Sequence, residues 1–235
     1  MSSTLNPKAS LSIGVVSKYN VYFDDIRKSL AELSVEVFYT SEIKHLTAEI
    51  ARGVNFDYLF FPHFSSIIPA KIVNNFICVG FHTGDLPKDR GGSPIQNKIL
   101  KKQYATKVSA FVISETLDGG DLLCQRDIDL ENGSIKEIIN SISLLVTGMV
   151  REIITERPKS FPQIGEAEYV GRVAPNLSRL ELSTLSLKDL YDRVRMVDGF
   201  DYPPAFIEID RFKIILGDAK LVKGKLEMKC TVEEV

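Results

Sequence analysis

Apolar positions in this chain fall into short runs separated by longer amphipathic stretches. Residues 11–16, 35–39, 58–61 and 77–81 are compact apolar runs bounded by turn residues, the pattern of buried strands. Between them, residues 20–32 place Ile26 and Leu30 at helical spacing, and residues 41–54 do the same with Leu46, Ile50 and Val54. Residues 94–102 open on Pro94, which suits the first turn of a helix. Residues 108–114 and 122–130 read as two further strands joined by a turn at Asp118. Asn132-Gly133-Ser134 then caps a long helix. Along it Ile135, Ile138, Ile139, Ile142, Leu145, Val146, Met149, Val150 and Ile153 keep a 3.6-residue period until Arg157-Pro158 ends it.

Strands alternating with helices predict an α/β fold: a mostly parallel, Rossmann-like sheet with helices on both faces. The pattern changes after residue 158. Residues 160–179 are loop-like, 187–197 form one helix, and 205–228 read as several short strands. The expected organisation is a main domain over 1–158 and a small strand-rich C-terminal appendage over 159–235.

Composition narrows the setting. Hydrophobic residues make up 44% and charged residues 26% of 235 positions, an ordinary globular balance. A formal net charge of −2 gives no general attraction for a polyanion, so nucleic acid is not an expected partner. Cys78 and Cys124 sit in apolar runs, and neither they nor Cys230 form a CxxC. Buried free thiols in a reducing cytoplasm follow. Met1 to Ser10 is polar and lacks the apolar centre of a signal peptide. Without a run of about 18 apolar residues, no membrane span is expected.

The candidate chemistry lies at strand ends. His82 ends the run at 77–81, where open α/β sheets bind ligands. Thr83-Gly84 and Gly91-Gly92 give permissive backbone around it, and Asp85-Leu86-Pro87 a stiff turn. Asp118, in Leu117-Asp118-Gly119-Gly120-Asp121, offers a carboxylate that would fix the tautomer of an imidazole it met. His63, in Phe61-Pro62-His63-Phe64-Ser65, follows another strand toward the same edge, whereas His45 lies on a polar helix face. Three scattered histidines without CxxC or HExxH make no metal site. The absence of GxGxxG, of a P-loop and of a GxSxG elbow disfavours a hydride transferase, a kinase and a serine hydrolase.

The ordered set His82, Leu86-Pro87, Arg90-Gly91 and Pro94-Ile95, with Asp118-Gly119-Gly120-Asp121 downstream, resembles the signature of the folate-dependent formyltransferase family. Tyr169-Val170-Gly171-Arg172 and Asp201-Tyr202-Pro203-Pro204-Ala205-Phe206 resemble that family's later stretch, so the likeness runs from about Leu11 to about Val222. It implies a one-carbon transferase with His82 and Asp118 as the catalytic pair and N10-formyltetrahydrofolate as co-substrate. Gly80, Arg90, Gly91, Gly92, Pro94, Ile95 and Asp121 would contact the folate; His63, Ser65, Thr83 and Gly84 would contact the acceptor. The chain departs from the family at Gly80, where the family has an asparagine thought to hold the oxyanion. Removing such a donor commonly costs about 2.7–4 kcal/mol of transition-state stabilisation.

Three acceptor classes follow from the resemblance: initiator tRNA, glycinamide ribonucleotide and nucleotide-linked amino sugars. Residues 157–235 hold 13 Lys/Arg and 13 Asp/Glu, a net charge of zero that suits tRNA poorly. Length and the 61–65 run favour a nucleotide-linked amino (dideoxy) sugar, such as a UDP-linked 4-amino-4,6-dideoxy sugar, for a surface polysaccharide. The rivals are a methionyl-tRNA-type formyltransferase and a non-catalytic folate- or nucleotide-sugar-binding protein of the same fold. Phe206, Ile207, Ile209, Phe212, Ile214, Ile215 and Leu216 put much apolar surface on the appendage, which suggests a homodimer.

Overall fold

A computed structural model describes residues 10–200 and 202–235; Met1 to Ala9 and Asp201, both used above, lie outside the described residues. In chain order the elements begin with β1 (Leu11–Val16), α1 (Asn20–Leu30), β2 (Val35–Thr40), α2 (Ile43–Ala51), β3 (Tyr58–Pro62), the short α3 (Ala70–Val73) and β4 (Cys78–Thr83). They continue with β5 (Arg90–Gly91), α4 (Pro94–Leu100), β6 (Ala105–Val112), β7 (Leu122–Asp129), α5 (Ile135–Glu156) and β8 (Tyr169–Val170). Two 3-10 turns follow, then α6 (Leu187–Arg195), β9 (Phe206–Ile209), β10 (Phe212–Val222) and β11 (Lys225–Glu234).

The main sheet has the order β2-β1-β3-β4-β6-β7. β1 pairs in parallel with β2 and β3, and β3 with β4. The bonds Ile113 N–H to Cys78 O and Ser109 Oγ to Gly84 O run in opposite senses along the two strands, so β6 is antiparallel to β4. Val112 N–H to Asp121 O at one end and Leu130 N–H to Tyr104 O at the other make β6–β7 a hairpin. The predicted parallel sheet therefore covers four strands and a hairpin completes it. Apolar runs at 108–114 and 122–130 carry no sign of strand direction, which is why the antiparallel half was not foreseen. A second sheet, β11-β10-β9, is antiparallel, and β5 pairs with β8.

By packing the chain forms two compact units interleaved along the sequence: residues 10–82, 110–124 and 143–163, and residues 83–109, 125–142, 164–200 and 202–235. The first has a core of Val16, Leu46, Phe56, Leu59, Phe61, Ile72 and Cys78. The second contains an ion-pair network around Arg195, which is fully buried. Its guanidinium donates to Asp192 at 2.7 Å and to the carbonyls of Gly133 and Leu130 at 2.8 and 2.7 Å. Every face of a costly buried charge is thus partnered.

α5 begins at a capping box: Ser134 N–H donates to Glu137 Oε2 at 2.7 Å, and Glu137 N–H to Ser134 Oγ at 3.3 Å. Among the described residues it is the one helix long and apolar enough, over 22 residues, to cross a membrane by length and composition. Its periodic residues Ile138, Ile139, Ile142, Val146, Met149, Val150 and Ile153 are buried in the protein, as in a core helix.

Candidate active site

The first unit holds the pair the sequence predicted. His82 is the fifth residue of β4, inside the strand rather than past its end, and is 7% exposed. Its Nδ1 lies 3.7 Å from Asp118 Oδ2. That is longer than a hydrogen bond but within ion-pair reach. The side chains of both are shielded, at 8% and 16% exposure, so little solvent screens their interaction.

The loop carrying Asp118 is fixed by backbone packing. Asp118 has φ 49°, a left-handed conformation that Asp tolerates. Gly119 N–H donates to Thr116 O at 3.0 Å, closing the turn. A Cβ on Gly120 would lie 1.7 Å from the Val112 carbonyl oxygen, so only glycine fits. Gln163 was not singled out in the sequence. Its Nε2 donates to Asp118 O and to Gly120 O, each at 2.8 Å, clamping both sides of the turn. A lone glutamine in a loop-like stretch gave no sequence signal for this. Asp121 is exposed, and Ser160 Oγ approaches its carboxylate at 3.5 Å.

His63 leaves β3 one residue after Pro62, which is in register with Phe81; His63 and His82 therefore follow paired positions on neighbouring parallel strands. Its surroundings are different. The ring sits edge-on to Tyr19 at 4.8 Å, with Tyr22 at 6.3 Å. Burial, helped by the nearby Lys18 charge, pushes its pKa down to about 4, so the ring is neutral. Ser65 is exposed on the following loop. His45 is exposed as expected and shares a 3.3 Å contact with Thr40 Oγ1. Among the described residues no group of His, Cys, Asp and Glu could hold a metal ion.

Gly80 is not an open space. A Cβ there would meet Phe111 Cζ at 2.7 Å, Phe111 Cε1 at 2.9 Å and Ile113 Cγ1 at 3.2 Å. Two apolar side chains of this chain, Phe111 and Ile113, crowd the place that a side chain at position 80 would take.

In the second unit, Thr83 and Gly84 are buried, and Gly84 O accepts a 2.7 Å bond from the buried Ser109 hydroxyl. The loop that follows is sewn to residues 168–172. Glu168 N–H donates to Pro87 O, Arg90 N–H to Glu168 O, and Gly92 N–H to Val170 O. Gly91 has φ 117°, and a Cβ there would lie 2.2 Å from Val170 O; one on Gly92 would lie 2.3 Å from Arg172 Cγ. At both glycines the space a side chain would take is already occupied by residues 170–172. Ile95 is likewise a core residue, 2% exposed, whereas Pro94 is half-buried at the first turn of α4. Arg90 Nη1 donates to Tyr169 OH at 3.3 Å and lies over that ring. Ser93 does not cap α4 with its side chain; its Oγ accepts from Val173 N–H at 3.3 Å.

The described residues thus combine an α/β sheet with a shielded imidazole–carboxylate pair at one strand. Comparison with known proteins gives the family. Residues 175–233 match the family described as methionyl-tRNA formyltransferase, C-terminal domain. A methionyl-tRNA formyltransferase of Thermodesulfovibrio yellowstonii is 25% identical over 171 residues, 70% of this chain and 55% of that protein. A solved structure titled methionyl-tRNA formyltransferase from Clostridium thermocellum is 33% identical, with TM-score 0.89, covering 96% of this chain and 100% of that one. The chain belongs to the formyltransferase family. Two further structures share the fold. HypX from Aquifex aeolicus, in complex with tetrahydrofolic acid, has TM-score 0.75 at 21% identity over 90% of this chain and 38% of that one. A sugar N-formyltransferase from Shewanella has TM-score 0.67 at 20% identity over 92% and 100%. The chain spans about half the length of the first curated relatives it matches, 55% and 46% of them.

Proposed function

We propose that this chain is an N-formyltransferase that moves a formyl group from N10-formyltetrahydrofolate to a primary amine, and that the amine belongs to a nucleotide-linked amino sugar. The observation that carries the reading is the His82–Asp118 contact in a family fold. Donor chemistry fits a reduced folate: an imidazole beside a carboxylate, both shielded, can accept a proton at one nitrogen and deliver it at another. Gly80, Arg90, Gly91, Gly92, Pro94, Ile95 and Asp121 are its proposed contacts, and His63, Ser65, Thr83 and Gly84 those of the acceptor. When bound, the folate supplies an activated formyl carbon.

The chain's own residues manage the protons. With Nδ1–H turned toward Asp118, His82 presents Nε2 as a base. It takes the proton lost by the amine as the new C–N bond forms, and returns one to N10 as the old C–N bond breaks. Asp118 stabilises the cationic ring between the two steps. The cationic ring is also the proposed donor to the oxyanion, since Gly80 brings no amide. The expected organisation, residues 1–158 as the catalytic part and 159–235 as the appendage, belongs to this reading, as do a cytoplasmic setting and a homodimer.

The test is mass-spectrometric: the protein, the formyl donor and a panel of nucleotide-linked amino sugars, with UDP-linked 4-amino-4,6-dideoxy sugars included. A formylated sugar is expected, with product formation falling about 10²–10⁴-fold in His82→Ala and in Asp118→Ala. Donor consumption with no sugar of the panel formylated would overturn the acceptor assignment. The match of residues 175–233 and the curated relatives favour a second acceptor, the aminoacyl group of methionyl-tRNA, so that RNA belongs in the panel. The zero net charge of 157–235 argues against it. A non-catalytic binding protein would be thermally stabilised by a tetrahydrofolate analogue while formylating nothing.

A further inference from the structure

Successive residues of a strand face opposite sides of the sheet, so Gly80 and His82 of β4 share one face. Phe111 and Ile113 reach the place of a position-80 side chain on that face, within 3.2 Å of it. Phe111 is itself 6% exposed, and Ile113 packs against the core cluster that contains Cys78 and Phe61, on the same side. The flank of His82 toward the start of β4 is therefore lined by apolar side chains at the place of Gly80, all of them within the first unit. A side chain at position 80 would have to displace the ring end of Phe111.

We propose that Phe111 is a positioning residue that keeps water from the His82–Asp118 pair, so that a bound formyl group passes to an amine rather than to water. This rests on the transferase reading above. The competing reaction is hydrolysis: a water oxygen bonds to the formyl carbon, the carbon–N10 bond breaks, N10 takes one proton, and formate leaves with release of the other. The same His82 that deprotonates an amine would deprotonate a water, so the pair cannot discriminate by basicity. Exclusion by the ring would discriminate by access.

Two measurements test it. The first needs no activity: deuterium exchange at the His82 ring carbon between the nitrogens, followed by mass spectrometry. Phe111→Leu, which keeps an apolar side chain and the fold, is expected to exchange about threefold faster than wild type, and Phe111→Ala faster still. The second is the partition of donor turnover between formylated amine and formate. The formate share is expected to rise about tenfold in Phe111→Ala and by less in Phe111→Leu, with the pH midpoint of transfer moving as solvent reaches the pair. Unchanged exchange and unchanged partition in the leucine variant overturn the proposal, whatever the alanine variant does. Wild-type protein that turns over no donor would instead overturn the transferase reading, and the exchange measurement would still decide whether Phe111 shields the ring.

Discussion

His63, just past the end of β3, and His82, the fifth residue of the neighbouring parallel strand β4, occupy opposite electrostatic settings. His82 has a carboxylate 3.7 Å from Nδ1, delivered by a loop that glycine and Gln163 hold in place. His63 has aromatic edges and the Lys18 charge, and is held neutral. What separates the two rings is therefore the partner beside each, a carboxylate for His82 and aromatic rings with a lysine for His63. In the proposed reaction the first ring takes up and returns a proton beside Asp118, whereas the second offers a ligand only a flat neutral surface and one hydrogen bond.

The strongest way to break the contrast is to displace the partner without touching either ring. Gly120→Ala puts a methyl group where Val112 O already stands. The turn has to move and Asp118 with it. We expect a stability loss on the order of 3–5 kcal/mol, read by urea melts, and loss of formyl transfer comparable to Asp118→Ala. The control is Gly14→Ala on β1, whose new methyl group would lie 2.6 Å from Leu59 Cδ2. It should also cost stability while leaving the His82–Asp118 contact in place, so residual activity measured on the folded fraction should survive there and not in Gly120→Ala.

Gln163→Ala is a milder version. It removes two hydrogen bonds to the carbonyls flanking the turn but adds no clash. About 1–3 kcal/mol of stability should be lost, since each of the two bonds is worth about 0.5–1.5 kcal/mol net. A fall in kcat of about tenfold with little change in KM is expected, because the clamp orients Asp118 and does not touch the acceptor. A proportional rise in KM alone would mean that Gln163 serves binding instead.

Much of this was legible in the sequence because the signals were local. Apolar runs gave β1 to β4, the 3.6 period gave α5, and the spacing of His82, Leu86-Pro87 and Pro94-Ile95 gave the family. The glycine pairs were legible as tight backbone but not as to what they approach. Gly91-Gly92 and Gly119-Gly120 look alike in sequence, yet each makes room for a different stretch of the same chain, residues 170–172 and residue 112. Distant partners of that kind leave no periodicity. The direction of β6 and β7, the β5–β8 pair and the filling of Gly80 by Phe111 were hidden for the same reason: each is a meeting of segments, and a lone glycine reads as empty until the neighbour is known.

The smallest effect concerns His63, and it sharpens the contrast by titration. Its folded pKa, about 4, lies below the ordinary 6.5, so between those values the unfolded chain binds a proton that the folded chain refuses. Stability from this group is complete above pH 6.5 and drains away as pH falls toward 4. A shift of this size corresponds to about 3 kcal/mol at most. His63→Asn keeps a neutral polar side chain that tolerates the left-handed backbone at φ 49°. The difference in unfolding free energy between wild type and this variant should therefore shrink from pH 7 to pH 4.5, as the wild type alone loses its contribution. A difference that stays flat across the range would mean that the ring is solvated and takes up its proton freely, and the distinction between the two histidines would then reduce to the carboxylate at 118.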